Sequence, residues 1–405
     1  MASGQALGAQ LPLWSAVPFL LLLAAIAVLP LVAHHWWESN RNRALVSLAF
    51  AVPAAGYLLA AHGAEAWHHL LHSLRDYLSF VLLLGALFVI AGGIRVRGSL
   101  AGTPLANAGL LGIGAVLANL IGTTGASMVL IRPFLRANEE RRSKAHLVVF
   151  FIFVVSNCGG LLTPLGDPPL FLGFLKGVPF AWTLSLWKEW LLVNGLLLLV
   201  FNLFDQRMLA REQAAAPREP LLEELIEHEP LRLEGIHNLL LMAGIVLVIL
   251  GQGQGWGARG AAWPFGVQET LLALLAVTGY ATTRRSVRIA NRFTFGPMIE
   301  VAVLFFGIFV TMTAPLLLLN ARGSALGLSE PWHYYWMTGL LSGFLDNAPT
   351  YMSYAAAAAG QLGVSVDGPR YLAELLAQGP GAEALLAAIS CGAVMMGANT
   401  YIGNG

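Results

Sequence analysis

Apolar stretches of spanning or near-spanning length follow one another along this chain, roughly ten in all, separated by short polar loops. The first, residues 13–33, is longer than the apolar part of a secretory signal and ends without a small-residue cleavage site. It reads as an uncleaved first span. Two later stretches are broken by polar, glycine-containing motifs: Thr163-Pro164-Leu165-Gly166-Asp167-Pro168-Pro169, and Thr400-Tyr401-Ile402-Gly403-Asn404-Gly405. Thr, Gly and Asp or Asn recur at the same offsets, 237 positions apart, and each motif follows a Ser-containing apolar run (151–162 and 387–398). A helix interrupted at membrane depth frees backbone groups that only protein or a watery cavity can satisfy. Interruptions at matching places in two halves point to a transporter's binding site.

Composition agrees. Hydrophobic residues make up 57% and charged residues 11%, against roughly 25% charged in soluble domains; mean hydropathy is +0.68. The reading is an all-α polytopic membrane protein, whose longest polar stretch, 205–235, is too short to build a core alone. The net charge of +1 gives no reason to expect nucleic acid as a partner. Cys158 and Cys391 lie inside apolar runs and read as packing residues. His68 and His72 have helical spacing, but no Cys or carboxylate cluster accompanies them, so no metal site is expected beyond a transported Na⁺. No phosphate-binding loop, zinc motif, nucleophile elbow or dinucleotide fingerprint occurs. The expectation is therefore not an enzyme but a carrier driven by ion gradients, without cofactors.

Seventeen of the 23 basic residues fall in five loops: 41–43, 95–97, 132–144, 207–232 and 284–292. The positive-inside rule puts these in the cytoplasm. Residues 103–131 then begin and end on the cytoplasmic side, too long for one span and short for two. A re-entrant hairpin turning at Gly122-Thr123-Thr124-Gly125 resolves this. Residues 332–360 form a second hairpin, turning at Asp346-Asn347-Ala348-Pro349, and open outside. The expected organisation is N-terminal scaffold spans (1–75), repeat one (76–204, with hairpin 103–131 and broken helix 147–174), a cytoplasmic loop (205–235) and an inverted repeat two (236–405, with hairpin 332–360 and broken helix 384–405). The second motif ends at the last residue, so the chain reads as truncated at its C-terminus.

Four break points should converge near mid-membrane. They offer Asn119, Thr123, Thr124 and Ser127; Ser156, Asn157, Thr163 and Asp167; Asp346, Asn347 and Thr350; and Ser390, Asn399, Thr400 and Asn404. Hydroxyls, amides, freed carbonyls and carboxylates are ligands for a cation, and no Lys or Arg stands among them to hold an anion. Asp346 is the leading candidate because an ionised carboxylate at a helix centre costs ~2.5–3.5 kcal/mol. It also suits a helix N-cap. Asp167 is the second carboxylate, and Glu300, early in an apolar run, is a candidate proton relay.

The strings Gly122-Thr-Thr-Gly-Ala-Ser127 with Arg132-Pro133, Val155-Ser-Asn-Cys-Gly-Gly160 with 163–169, Phe344-Leu-Asp-Asn-Ala-Pro-Thr-Tyr351 and 397–405 resemble the NhaD-like sodium:proton antiporters of the ion transporter superfamily. Arsenite permeases and citrate or dicarboxylate carriers share that architecture. The resemblance implies hairpins and broken helices in a mobile domain, a scaffold domain, and a homodimer with elevator-type motion. Dicarboxylate carriers of this group use Ser-Asn-Thr signatures at the hairpin tips, whereas these tips read Gly-Thr-Thr-Gly and Asp-Asn-Ala-Pro. An acidic tip repels a dicarboxylate. The expected function is exchange of Na⁺ or Li⁺ for H⁺ across the cell inner membrane; the alternative is a Na⁺- or H⁺-coupled citrate or dicarboxylate carrier.

Overall fold

The computed structural model describes residues 3–98, 102–215 and 232–400. Among these, six helices are long and apolar enough to cross a membrane, or seven when the bent pair Gly296–Thr311 and Thr313–Ala321 counts as one span. The chain is an all-helical polytopic membrane protein, apart from a short antiparallel ladder between Arg95–Arg97 and Arg232–Glu234.

The 52-residue helical stretch Asn40–Ala91 is two arms. Gly63, at φ 56° and ψ −124°, breaks it. Both arms line Gly296–Thr311. Arg43 of the first arm pairs with Glu300 at 3.0 Å. In the second arm Phe80 stacks on Phe305 with ring centres 4.7 Å apart, and the Tyr77 hydroxyl donates to the Ala302 carbonyl at 2.9 Å.

Pro104–Ala137 is also two helices, broken at Gly122 (φ 76°, ψ 156°). A straight helix of 34 residues would be about 50 Å long. Here its two ends touch. The Asn107 and Asn138 side chains exchange two amide hydrogen bonds, each 2.8 Å. The segment is thus a closed helical hairpin, hairpin one. Local sequence sets its limits: Thr103 caps the start, accepting from the Ala106 amide, and Pro104 occupies the first turn, where no N–H is needed. At the tip Gly122 takes a left-handed φ that a Cβ would strain.

Hairpin two consists of Pro331–Ser342 and Asn347–Gln361. The Tyr334 hydroxyl donates to Gln361 Oε1 at 2.6 Å, closing the open end.

The two hairpins open toward opposite ends of the molecule. The base of hairpin one lies with the basic loops: Arg136 donates to the Val96 carbonyl, Asn291 donates to the Gly92 and Ile94 carbonyls, and Arg141 bonds Asp205 and Glu212. The base of hairpin two lies with the other loops: Asn320 donates to the Ala356 and Val364 carbonyls, His69 pairs with Asp367 at 3.5 Å, and Lys176 pairs with Asp76.

One helix is interrupted, and another ends in turns. Ala145–Phe151 continues through a wide turn at Ile152–Asn157 and a tight one at Cys158–Leu162; the chain then runs extended at Thr163 and Asp167 before Pro168–Leu175 begins. Pro380–Met395 ends in turns through residues 396–400. One boundary differs from expectation. The helix Trp187–Ala215 runs well past Phe204 into the stretch expected to be loop. The extra turns are held because Asp205 and Glu212 grip Arg141, and Glu212 also accepts from the Ser143 amide.

Candidate functional site

Asp167 is where the hairpin tips meet. Its side chain is buried, and both carboxylate oxygens are engaged. Thr123 Oγ1, at the tip of hairpin one, donates to Oδ1 at 3.3 Å. Asn347 Nδ2, at the tip of hairpin two, donates to Oδ2 at 2.6 Å. The backbone locks this arrangement: the Thr123 amide donates to the Gly166 carbonyl at 2.9 Å, and the Gly166 amide donates to the Thr163 carbonyl at 3.0 Å. Gly160 allows the motif to pack so closely. A Cβ there would stand 2.8 Å from the Gly166 oxygen.

Each of these two helices is stapled to one hairpin by a threonine that follows it. The Thr163 hydroxyl donates to the Asn119 carbonyl in hairpin one. The Thr400 hydroxyl donates to the Gly343 carbonyl in hairpin two. Asn119 adds a second staple, accepting from the Leu162 amide through Oδ1 at 2.8 Å. The two helices also touch each other: Cys158 Sγ lies 3.7 Å from the Met395 carbonyl, again 237 positions away. Asn157 is fully buried at this junction, and a Cβ on Gly397 would sit 3.2 Å from its Oδ1.

Asp346 holds a different post. It caps Asn347–Gln361, accepting from the Ala348 amide at 2.9 Å, while the Thr350 hydroxyl donates to its carbonyl. It is half-exposed, within electrostatic reach of Asp167. Thr124 is exposed beside Thr123. Thr123, Thr124 and Asp167 line one wall of a cavity whose other wall is formed by Leu83, Leu87, Met298 and Val301. Hairpin one and its interrupted helix therefore face the paired spans across a gap at the carboxylate.

The remaining candidates are placed as follows. Asn399 is exposed, its amide donating to the Met396 carbonyl. Asn404 lies outside the described residues. Glu300 is tied to Arg43 in an ion pair at 3.0 Å and does not line the cavity. Ser127 and Ser156 join hairpin one to the interrupted helix at 2.8 Å. Sequence reasoning missed Tyr351. Fully buried, it fills the space beside Gly173, packing hairpin two against Pro168–Leu175. Its signal was slight: one of two phenols, with Tyr354, ahead of the alanine run 355–359.

A carboxylate flanked by a hydroxyl and a side-chain amide forms a hard, oxygen-containing centre, chemically able to take an alkali cation or a proton. The family described as "Putative citrate transport" matches residues 8–405. The chain belongs to this family. A search of the curated proteins gave no match. A citrate-transporter-like family and multiple apolar helices together make the protein an integral multi-pass membrane transporter, not an enzyme.

Proposed function

We propose that this member of the citrate-transport family is a secondary transporter that exchanges Na⁺ or Li⁺ for H⁺ in the cell inner membrane. One observation carries the reading: the tips of both hairpins donate to the buried carboxylate of Asp167, and the four converging segments contain no Lys or Arg. Asp167 and Asp346 supply charge. Thr123, Thr124, Asn157, Thr163, Asn347 and Thr400 supply neutral oxygens, and Asn399 and Asn404 complete the proposed set. A carboxylate that binds either a cation or a proton, but not both, couples the two gradients. The cavity between hairpin one and the paired spans supports an elevator-type motion of the hairpin body against a scaffold, with inverted repeats and a homodimer as further parts of the proposal.

The family match favours a second reading, a Na⁺- or H⁺-coupled citrate or dicarboxylate carrier. Its electrostatics demand a neutralising partner. Like charges about 4 Å apart repel by about 4 kcal/mol at an effective dielectric of 20. Citrate could approach Asp167 and Asp346 only with protons or cations bound first. Proteoliposomes separate the readings. With no organic anion present, a Na⁺ pulse should dissipate an imposed pH gradient. If it does not, and labelled citrate enters only with a Na⁺ or H⁺ gradient, the exchange reading is wrong and the carrier reading stands.

A further inference from the structure

At the basic end, away from Asp167, an open groove runs between the second arm of hairpin one and the turn after Arg285–Ala290. Its walls hold Arg95, Arg132, Arg136 and Arg292, alternating with apolar residues such as Met128 and Ile131. Two of the arginines are committed to the fold: Arg95 pairs with Glu234 at 3.3 Å, and Arg136 donates to the Val96 carbonyl at 2.9 Å. The other two are not. Arg132 lies within electrostatic reach of Arg292 and Arg95, and no carboxylate pairs with Arg132 or Arg292 among the described residues. Arg292 is held in a left-handed turn (φ 46°), with its amide bonded to the Ile289 carbonyl.

Gathering like charges costs energy unless an anion offsets it, and guanidinium groups match phosphate oxygens two at a time. The apolar wall and the exposed Ile289 and Phe295 nearby suit an acyl chain better than a soluble ion. The basic end is also where the positive-inside rule puts the cytoplasmic leaflet, and basic pockets between helices on that side suit anionic headgroups. We propose that this groove binds the phosphate headgroup of an anionic phospholipid between Arg132 and Arg292, clamping hairpin one to the 285–292 segment.

The test compares the full chain in nanodiscs of phosphatidylcholine alone and with added phosphatidylglycerol, reading the unfolding temperature and native mass spectra for retained lipid. Wild type should gain stability and retain phosphatidylglycerol. R132A/R292A should lose both gains, with retention weakened roughly tenfold or more, while matching wild type in phosphatidylcholine alone. R285A, which removes an exposed arginine outside the groove, should behave as wild type. R132K/R292K, which keeps the charge without the fork, should fall between and serves as the readout if the alanine variant does not fold. Equal losses in R285A and R132A/R292A would overturn the proposal, because the attraction would then belong to the whole leaflet. So would a full stability gain from inorganic phosphate in phosphatidylcholine discs, which would make the ligand a free anion.

Discussion

The two hairpins place their charge at opposite ends. Hairpin one is ionic at its base. Asn107 and Asn138 bond each other there, Asn107 also bonds Asp205, and Asp205 bonds Arg141 and His146 at 2.7 and 2.9 Å. Its tip is neutral and reaches out to a carboxylate on another element, Asp167. The bond that closes hairpin two is neutral, from Tyr334 to Gln361, with the ion pairs His69–Asp367 and Lys176–Asp76 on the surrounding loops, and its own carboxylate, Asp346, is at the tip. A hairpin fixed by buried charge at its base can offer its tip as a fixed donor. A hairpin whose base is held by neutral bonds and whose tip is acidic changes its electrostatics whenever that tip gains a proton or a cation. The contrast assigns anchoring to one hairpin and response to the other.

The largest expected effect tests the anchor. Asp205→Ala strips Arg141 and His146 of a partner in a buried setting. Removing one member of a buried ion pair typically costs about 3–5 kcal/mol. Denaturant unfolding in detergent should show a loss of that size. A change below about 1 kcal/mol would mean that water reaches the cluster and that the base of hairpin one is not an anchor.

The next test concerns the carboxylate shared by the tips. Asp167→Asn should reduce transport roughly a hundredfold or more, because an amide can neither titrate nor offset the charge of a dehydrated cation. It keeps the volume but presents an amide N–H to Thr123 or Asn347, both of which now donate to Asp167. Initial rates in proteoliposomes check it. Transport within about threefold of wild type would move the coupling site elsewhere.

Much of this arrangement was legible in the sequence. The all-helical, multi-pass class follows from composition and apolar periodicity, and the kink at Gly122 and the interruption at 163–167 fall on Gly- and Pro-containing motifs, while most of the 400–405 motif lies outside the described residues. The anchor was not. Asn107, Asn138, Arg141, His146, Asp205 and Glu212 lie up to about a hundred positions apart, and each alone looks like an ordinary loop or boundary residue. The balance between the two acids was also hidden. Composition and depth cost made Asp346 the leading residue, whereas the contact that joins the hairpins is on Asp167. Only tertiary packing decides which carboxylate receives donors from two elements.

A smaller effect is expected at the responsive tip. Asp346→Asn should keep the helix cap, because an amide oxygen still accepts from the Ala348 amide. It removes a negative charge and the ability to titrate. In the exchange reading the wild type needs less Na⁺ as pH rises, because protons leave the competing carboxylates. The variant should need roughly tenfold more Na⁺ at neutral pH, with a flatter pH dependence. An unchanged affinity and slope would reduce Asp346 to a cap and leave Asp167 to carry the competition alone.

The smallest predicted effect probes the neutral base of hairpin two. Tyr334→Phe removes one hydroxyl and leaves the ring, which is fully buried and packs edge-on to Tyr354. The lost bond to Gln361 is a neutral one, worth about 0.5–1.5 kcal/mol net. Gln361 is half-exposed, so water can take over its oxygen and the loss should fall near the lower end of that range. The unfolding midpoint should therefore move far less than in Asp205→Ala, and transport should persist. The contrast between the bases depends on that ratio. If Tyr334→Phe destabilised as much as Asp205→Ala, hairpin two would be anchored as firmly as hairpin one, and the assignment of response to its tip would lose its mechanical ground.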